Sequence, residues 1–273
     1  MELKYRVYVI LKKRYVYLLV ILLAALYLLY SYVLSRDAFF ASNPYAAPFL
    51  TFLIFFACGT AYRLFISVVY SKFKSILYAR CDPGEYLRVC RYIIHNMRKK
   101  GRPQHFSHFL DYSAGLIAAG RFSDALDVLA KVGGFGTGRK GLSGTVAYFD
   151  QICEASLGAG KTDKAREAYK NLEKSYAALN PGADMSGSAR YFSKSVLIKM
   201  AQGNYKGAEK FFSGMYEKAR NNLERAYAKF RLGEVYLHNG DARRAREAFG
   251  YVAENGNKLY IADLARERLL NLD

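Results

Sequence analysis

The sequence predicts an all-α chain in two parts, an N-terminal transmembrane helical hairpin followed by an array of helical hairpins. Three observations carry this reading. Apolar residues run on almost continuously up to residue 80, they recur at spacings of three and four after it, and no stretch beyond residue 81 alternates with period two. Charge divides the same way. Residues 1–80 hold ten basic and two acidic residues and residues 81–273 hold 31 and 21, so the formal net charge of +18 splits into +8 and +10. A 273-residue chain with 52% hydrophobic residues is not a disordered polyelectrolyte, a collagen-like polymer or a small disulfide scaffold.

The first part, 1–80, reads as a membrane anchor. From Tyr15 to Ser35 there are 21 uncharged residues, enough for the ~30 Å hydrocarbon core, which needs roughly 20. A transmembrane helix is expected over about 15–35. Asn43, Pro44 and Pro48 mark a turn, because proline has no N–H and biases its predecessor away from helix. A second span is expected over about 48–70, with Arg63 near enough to its end to snorkel toward the headgroups. Lys4, Arg6, Lys12, Lys13 and Arg14 precede the first span and Lys72, Lys74 and Arg80 follow the second, while the loop between carries only Arg36 with Asp37. Excess lysine and arginine on both outer flanks places both termini in the cytoplasm and makes the chain a multi-pass membrane protein. A cleaved signal peptide is the competing reading. The first apolar run exceeds the usual core of roughly 7–15 residues, and a second span follows it.

The second part, 81–273, reads as a cytoplasmic helical domain. Tyr86, Cys90, Ile93, Ile94 and Met97 define an amphipathic capping helix over about 84–99, with Asp82 as N-cap candidate and Pro83 in the first turn. Four segments over about 104–256 then share a helix, a glycine turn and a second helix with alanine five residues after the glycine. They are Gly120 with Ala125, Gly160 with Ala165, Gly203 with Ala208, and Gly240 with Ala245, and four residues later stand Leu129, Tyr169, Phe212 and Phe249. Glycine lets the chain leave the first helix left-handed, alanine lets the helices approach, and the bulky residue fills the gap to the next hairpin. Ile261, Ala262, Ala265 and Leu269 form the stripe of a C-terminal capping helix over about 258–271.

These units resemble the tetratricopeptide repeat family. Leu232, Gly233, Tyr236, Gly240, Ala245 and Phe249 stand at the family's relative spacings, and the likeness covers about residues 104–256. Two features depart from the pattern. The glycines recur at intervals of 40, 43 and 37 rather than 34, and the tryptophan of the first helix and the closing proline are missing from all four units. The resemblance implies a TPR-like helical-hairpin solenoid whose first helices line a concave groove for a protein or peptide ligand. By that spacing Tyr227, Phe230, Glu234, Leu237 and His238 line the groove in the last unit, and Arg190, Ser193, Leu197, Met200 and Ala201 in the one before. The lysine and asparagine pattern with which some family members clamp a C-terminal carboxylate is absent, so tail recognition is not expected.

Other motifs fail their chemistry. The glycine-rich stretch Gly133–Gly144 has Arg139, Lys140 and Gly141 after Gly138 and no preceding strand, so it lacks the Lys-Ser/Thr ending of a phosphate loop and reads as a flexible linker. Cys58, Cys81, Cys90 and Cys153 form no CxxC pair, and His95, His105, His108 and His238 give no defensible metal or nucleophile set. No catalytic residue, metal or cofactor is expected. The basic run Arg98-Lys99-Lys100-Gly101-Arg102, with Lys72, Lys74 and Arg80, suits anionic lipid headgroups better than nucleic acid, because it adjoins the second span. The expected function is a membrane-anchored scaffold or adaptor. The alternative is an accessory subunit of a membrane transport, secretion or envelope-assembly complex in which the transmembrane hairpin is the working part.

Overall fold

The computed structural model describes residues 23, 27, 46–99, 106–136 and 138–272. The protein is all α, and among the described residues it contains no strand. The chain divides into two compact units, 1–72 and 73–273. Most of the first expected span, 15–35, and the basic N-terminal segment lie outside the described residues.

Helix α1 (Ala46–Tyr78) spans 33 residues, and Pro48 falls in its first turn, where a missing N–H costs nothing. Between Phe49 and Val68 it exposes Phe49, Phe52, Leu53, Phe56, Leu64 and Val68, with Phe52 and Phe56 stacked against each other. Among the described residues no helix is long and apolar enough to cross a membrane. Helix α1 covers the second expected span, about 48–70, and that span is not found as a membrane-crossing helix among the described residues.

The last two turns of α1 belong to the second unit. Phe73, Ile76 and Leu77 are buried there, and the Phe73 ring stacks on Tyr86 at 4.5 Å. Helix α2 (Pro83–Lys99) begins after a four-residue turn, with Pro83 at its first position. Asp82 caps it, one carboxylate oxygen accepting the Glu85 N–H at 2.9 Å.

Four hairpins follow: α3 (Phe106–Ala118) with α4 (Phe122–Leu129), α5 (Gly138–Gly158) with α6 (Thr162–Leu179), α7 (Ala189–Ala201) with α8 (Ala208–Glu217), and α9 (Asn222–His238) with α10 (Ala242–Asn255). Helix α11 (Tyr260–Leu270) ends the described chain. All four hairpin turns close in the same way. The turn glycines, Gly120, Gly160, Gly203 and Gly240, have φ of 73°, 72°, 80° and 74°. Each donates its N–H to the carbonyl three residues back, and the residue after it donates to the carbonyl five residues back, as in Gly120 to Ile117 and Arg121 to Leu116. These are Schellman turns, which satisfy the last carbonyls of each first helix. Ala125, Ala165, Ala208 and Ala245 are fully buried where the helices cross, as are Leu129, Phe212 and Phe249.

Of the stretch Gly133–Gly144, expected to be a flexible linker, Gly138–Gly144 opens helix α5 and 133–136 is pinned by an aromatic ring. Phe135 packs its ring against Phe106 at 5.3 Å and Tyr148 at 5.1 Å. A Cβ on Gly141 would lie 2.3 Å from the Gly136 carbonyl oxygen, so glycine serves here to let backbone meet backbone.

Candidate functional site

The first helices of the last three hairpins place charges at helical spacing on facing surfaces. On α5, Asp150 and Glu154 are four residues apart and share a face; on α7, Arg190 and Lys194 do the same. Arg190 donates Nε and Nη2 to one Asp150 oxygen at 3.0 and 2.8 Å. Lys194 donates to Glu154 at 2.8 Å, and its ammonium lies 3.5 Å from the other Asp150 oxygen. On α9, Arg231 donates to Glu234 at 2.6 Å and to the Tyr227 hydroxyl at 3.4 Å, with its guanidinium over the Tyr227 ring at 5.0 Å.

Electrostatics follow from depth. Asp150 is buried, which disfavours its charge, yet Lys194 and Arg190 outweigh that and hold its carboxyl below the usual range. Burial likewise works against the Lys194 ammonium, and Glu154 and Asp150 offset it and raise its pKa. Burial pushes the Tyr227 hydroxyl up, and the Tyr260 hydroxyl of α11 with it, against the pull of Arg231. Three carboxylates thus face three cations, Arg190, Lys194 and Arg231, and the cluster is neutral. One Asp150 oxygen and Arg231 Nε are buried without a hydrogen-bond partner, and among the described residues no group of His, Cys, Asp and Glu is arranged to hold a metal ion.

The unit also closes on itself. The Lys258 ammonium pairs with the second Asp82 oxygen at 2.8 Å, the Lys258 N–H donates to the Cys81 carbonyl at 3.2 Å, and Asn257 donates to the Arg80 carbonyl at 2.7 Å. Asn222, at the start of α9, donates to the Ala79 carbonyl at 2.7 Å. Tyr260 meets Phe122 edge to face at 5.1 Å, beside the α3–α4 turn. The face where a groove is expected is therefore turned toward Tyr260 and the charges of neighbouring helices.

The groove residues fall into three groups. Ser193, Leu197, Met200 and Phe230 are buried; Leu197 and Met200 pack with Phe212, Leu232 and Val235, and Phe230 packs edge to face on Phe249. Tyr227 and Glu234 are half-buried and bound to Arg231. Arg190, Ala201, Leu237 and His238 are exposed, with His238 stacked on Tyr205 at 3.8 Å. Helical spacing identifies the inward-facing residues but not whether a neighbour covers them.

The basic residues expected near lipid are also redistributed. Lys74 is half-buried and bonded to Asp111 and the Tyr86 hydroxyl, and Arg80 pairs with Glu85 at 2.7 Å. Lys72 is exposed, whereas Gly101, Arg102 and His105 lie outside the described residues.

Sequence reading missed Asp150, Glu154, Lys194, Arg231 and Tyr260. A signal for the first three was present: both acid–base pairs between α5 and α7 are separated by 40 residues, the interval between the first two turn glycines. No protein-family model, curated protein or solved structure matches the chain.

Proposed function

We propose that the protein is a membrane-anchored adaptor. In this reading a two-span hairpin within residues 1–80 tethers a TPR-like solenoid, 81–273, which holds a protein or peptide partner at the cytoplasmic face of the membrane without catalysis. The observation that carries it is the recurrence of one hairpin four times, with the same turn hydrogen bonds and the same buried alanine. Such an array presents side chains in register and suits recognition. The anchor is supported by the bare apolar side chains of α1, Phe49, Phe52, Phe56 and Leu64 foremost, which water would disfavour. Tethering raises the effective concentration of partner sites at the membrane, so modest affinity suffices.

Because Leu197, Met200 and Phe230 serve the core, this reading moves the contact surface to the C-terminal ends of the first helices, at Ala201, Leu237 and His238, with Arg190. The test is a photocrosslinking side chain at Leu237 or His238 in the full chain, expressed in cells and recovered from membranes. One defined adduct supports the reading. Absence of an adduct from Arg190, Leu237 and His238, or release of the chain by alkaline extraction, overturns it.

The exposed face of α1 favours one second reading, in which that helix packs against helices of a larger membrane complex. Ala57, Gly59 and Ala61 are exposed, and a Cβ on Gly59 would meet nothing within 4 Å. Replacing residues 1–72 with an unrelated two-span anchor separates the two readings, since the adaptor keeps its function and the complex subunit loses it.

A further inference from the structure

From Tyr86 to Leu110 the chain carries six basic residues, Arg88, Arg91, Arg98, Lys99, Lys100 and Arg102, and no acidic one. Helix α2 sorts the first of these by face. Among its described side chains the exposed positions are 84, 88, 91 and 95, spaced four, three and four, and so form one stripe of Gly84, Arg88, Arg91 and His95. The opposite face, Tyr86, Leu87, Val89 and Cys90, is buried in the unit.

Three exposed arginines elsewhere have a carboxylate three residues away: Arg121 has Asp124 on α4, Arg166 has Asp163 on α6, and Arg266 has Asp263 on α11. Arg91 has none three or four residues away. The one within that reach of Arg88, Glu85, is buried and bound to Arg80. The stripe therefore presents cations without counterions of its own. Four residues, 79–82, separate α2 in sequence from α1.

We propose that this face of α2 binds a lipid surface carrying anionic headgroups. The proposal rests on the membrane-anchored reading and relocates its lipid contact from Lys74 and Arg80, which are bonded within the protein, to Arg88 and Arg91. Charge complementarity selects the occupant. A nucleic acid would be better served by exposed aromatic rings to stack its bases, and the stripe has none.

The full chain is reconstituted into nanodiscs of phosphatidylcholine alone or with phosphatidylglycerol added, with a fluorescent residue at Gly84, where a Cβ makes only ordinary contact. Energy transfer to an acceptor-labelled lipid is expected to be higher in the anionic discs. That excess is lost in R88E/R91E and at high salt, and kept in the control K199E. Equal transfer in both discs, or an excess that survives R88E/R91E, overturns the proposal. So does an RNA oligonucleotide that binds the full chain at physiological salt and depends on Arg88 and Arg91 while lipid composition has no effect. A chain that enters neither disc fails at the anchor instead, and overturns the membrane reading together with this proposal.

Discussion

Lys258 and Asp82, 176 residues apart, form an ion pair of 2.8 Å that joins the two ends of the second compact unit. The two partners contribute unequally. Lys258 is 64% exposed, so water screens its charge, whereas Asp82 is buried and also caps α2. Lys258→Ala is expected to cost under about 1 kcal/mol, and Asp82→Ala about 0.5–2 kcal/mol more for the cap alone. Chemical denaturation of the two variants compares them, and equal midpoints would remove the capping role.

The same aspartate gives the acid response a sign. Burial works to raise the Asp82 pKa, but hydrogen bonds from Lys258 and the Glu85 N–H, with the charges of Lys258 and Arg80, hold it below the usual value. Its contribution is complete above the unfolded aspartate pKa of about 3.9 and is lost as pH falls through the lower folded value. Asp82→Asn is expected to flatten that part of the stability profile, measured by unfolding between neutral and acid pH.

Removing one member of the interior cluster strands the others. Asp150→Ala leaves the buried Lys194 with less counter-charge and releases the more exposed Arg190, and a loss of about 3–5 kcal/mol is expected. Asp150→Leu with Lys194→Met is expected to cost less than the two single changes summed. A double-mutant cycle read by urea unfolding measures the coupling, and simple additivity would refute it.

Two turn glycines separate backbone strain from closure. Both have φ near the left-handed region, 73° at Gly120 and 74° at Gly240. A Cβ at Gly240 meets open space, while one at Gly120 would lie 2.9 Å from the Tyr260 Cβ. Gly240→Ala is expected to cost about 1–2 kcal/mol, and Gly120→Ala more, with faster hydrogen exchange in α11. Equal exchange in the two variants would separate Tyr260 from the first hairpin.

Cys81 reports on the junction. Its thiol is buried and pushed up to about 11 by that burial, so maleimide labelling at neutral pH should be slow. Asn257→Ala with Lys258→Ala, which removes the Asn257 bond to the Arg80 carbonyl and the Lys258 ion pair, is expected to speed it. Mass spectrometry of the labelled peptide makes the comparison.

What was legible in the sequence was local. Glycine at the end of a helix, alanine five residues on and a bulky residue after that act through contacts within one hairpin, so their spacing predicts buried alanines and left-handed turns. Asp82 as a cap and Pro83 at the helix start are local in the same sense. Leu197, Met200 and Phe230 face inward by spacing, and spacing is silent on the neighbours that bury them. Lys74 seemed destined for lipid by its place after an expected span, but its partner Asp111 lies 37 residues on. Phe135 shows the same limit, since composition marks a glycine-rich stretch as loose and cannot foresee the ring that pins it.

Closure fixes a count. An open row of hairpins touches only its neighbours, so units can be gained or lost at little cost. Here Phe122 must reach Tyr260 and Asp82 must reach Lys258, and the rotation accumulated between them has to come out right. Duplicating or deleting a hairpin is expected to part both pairs at once, whereas a substitution or a change in the length of a connecting segment leaves them within reach.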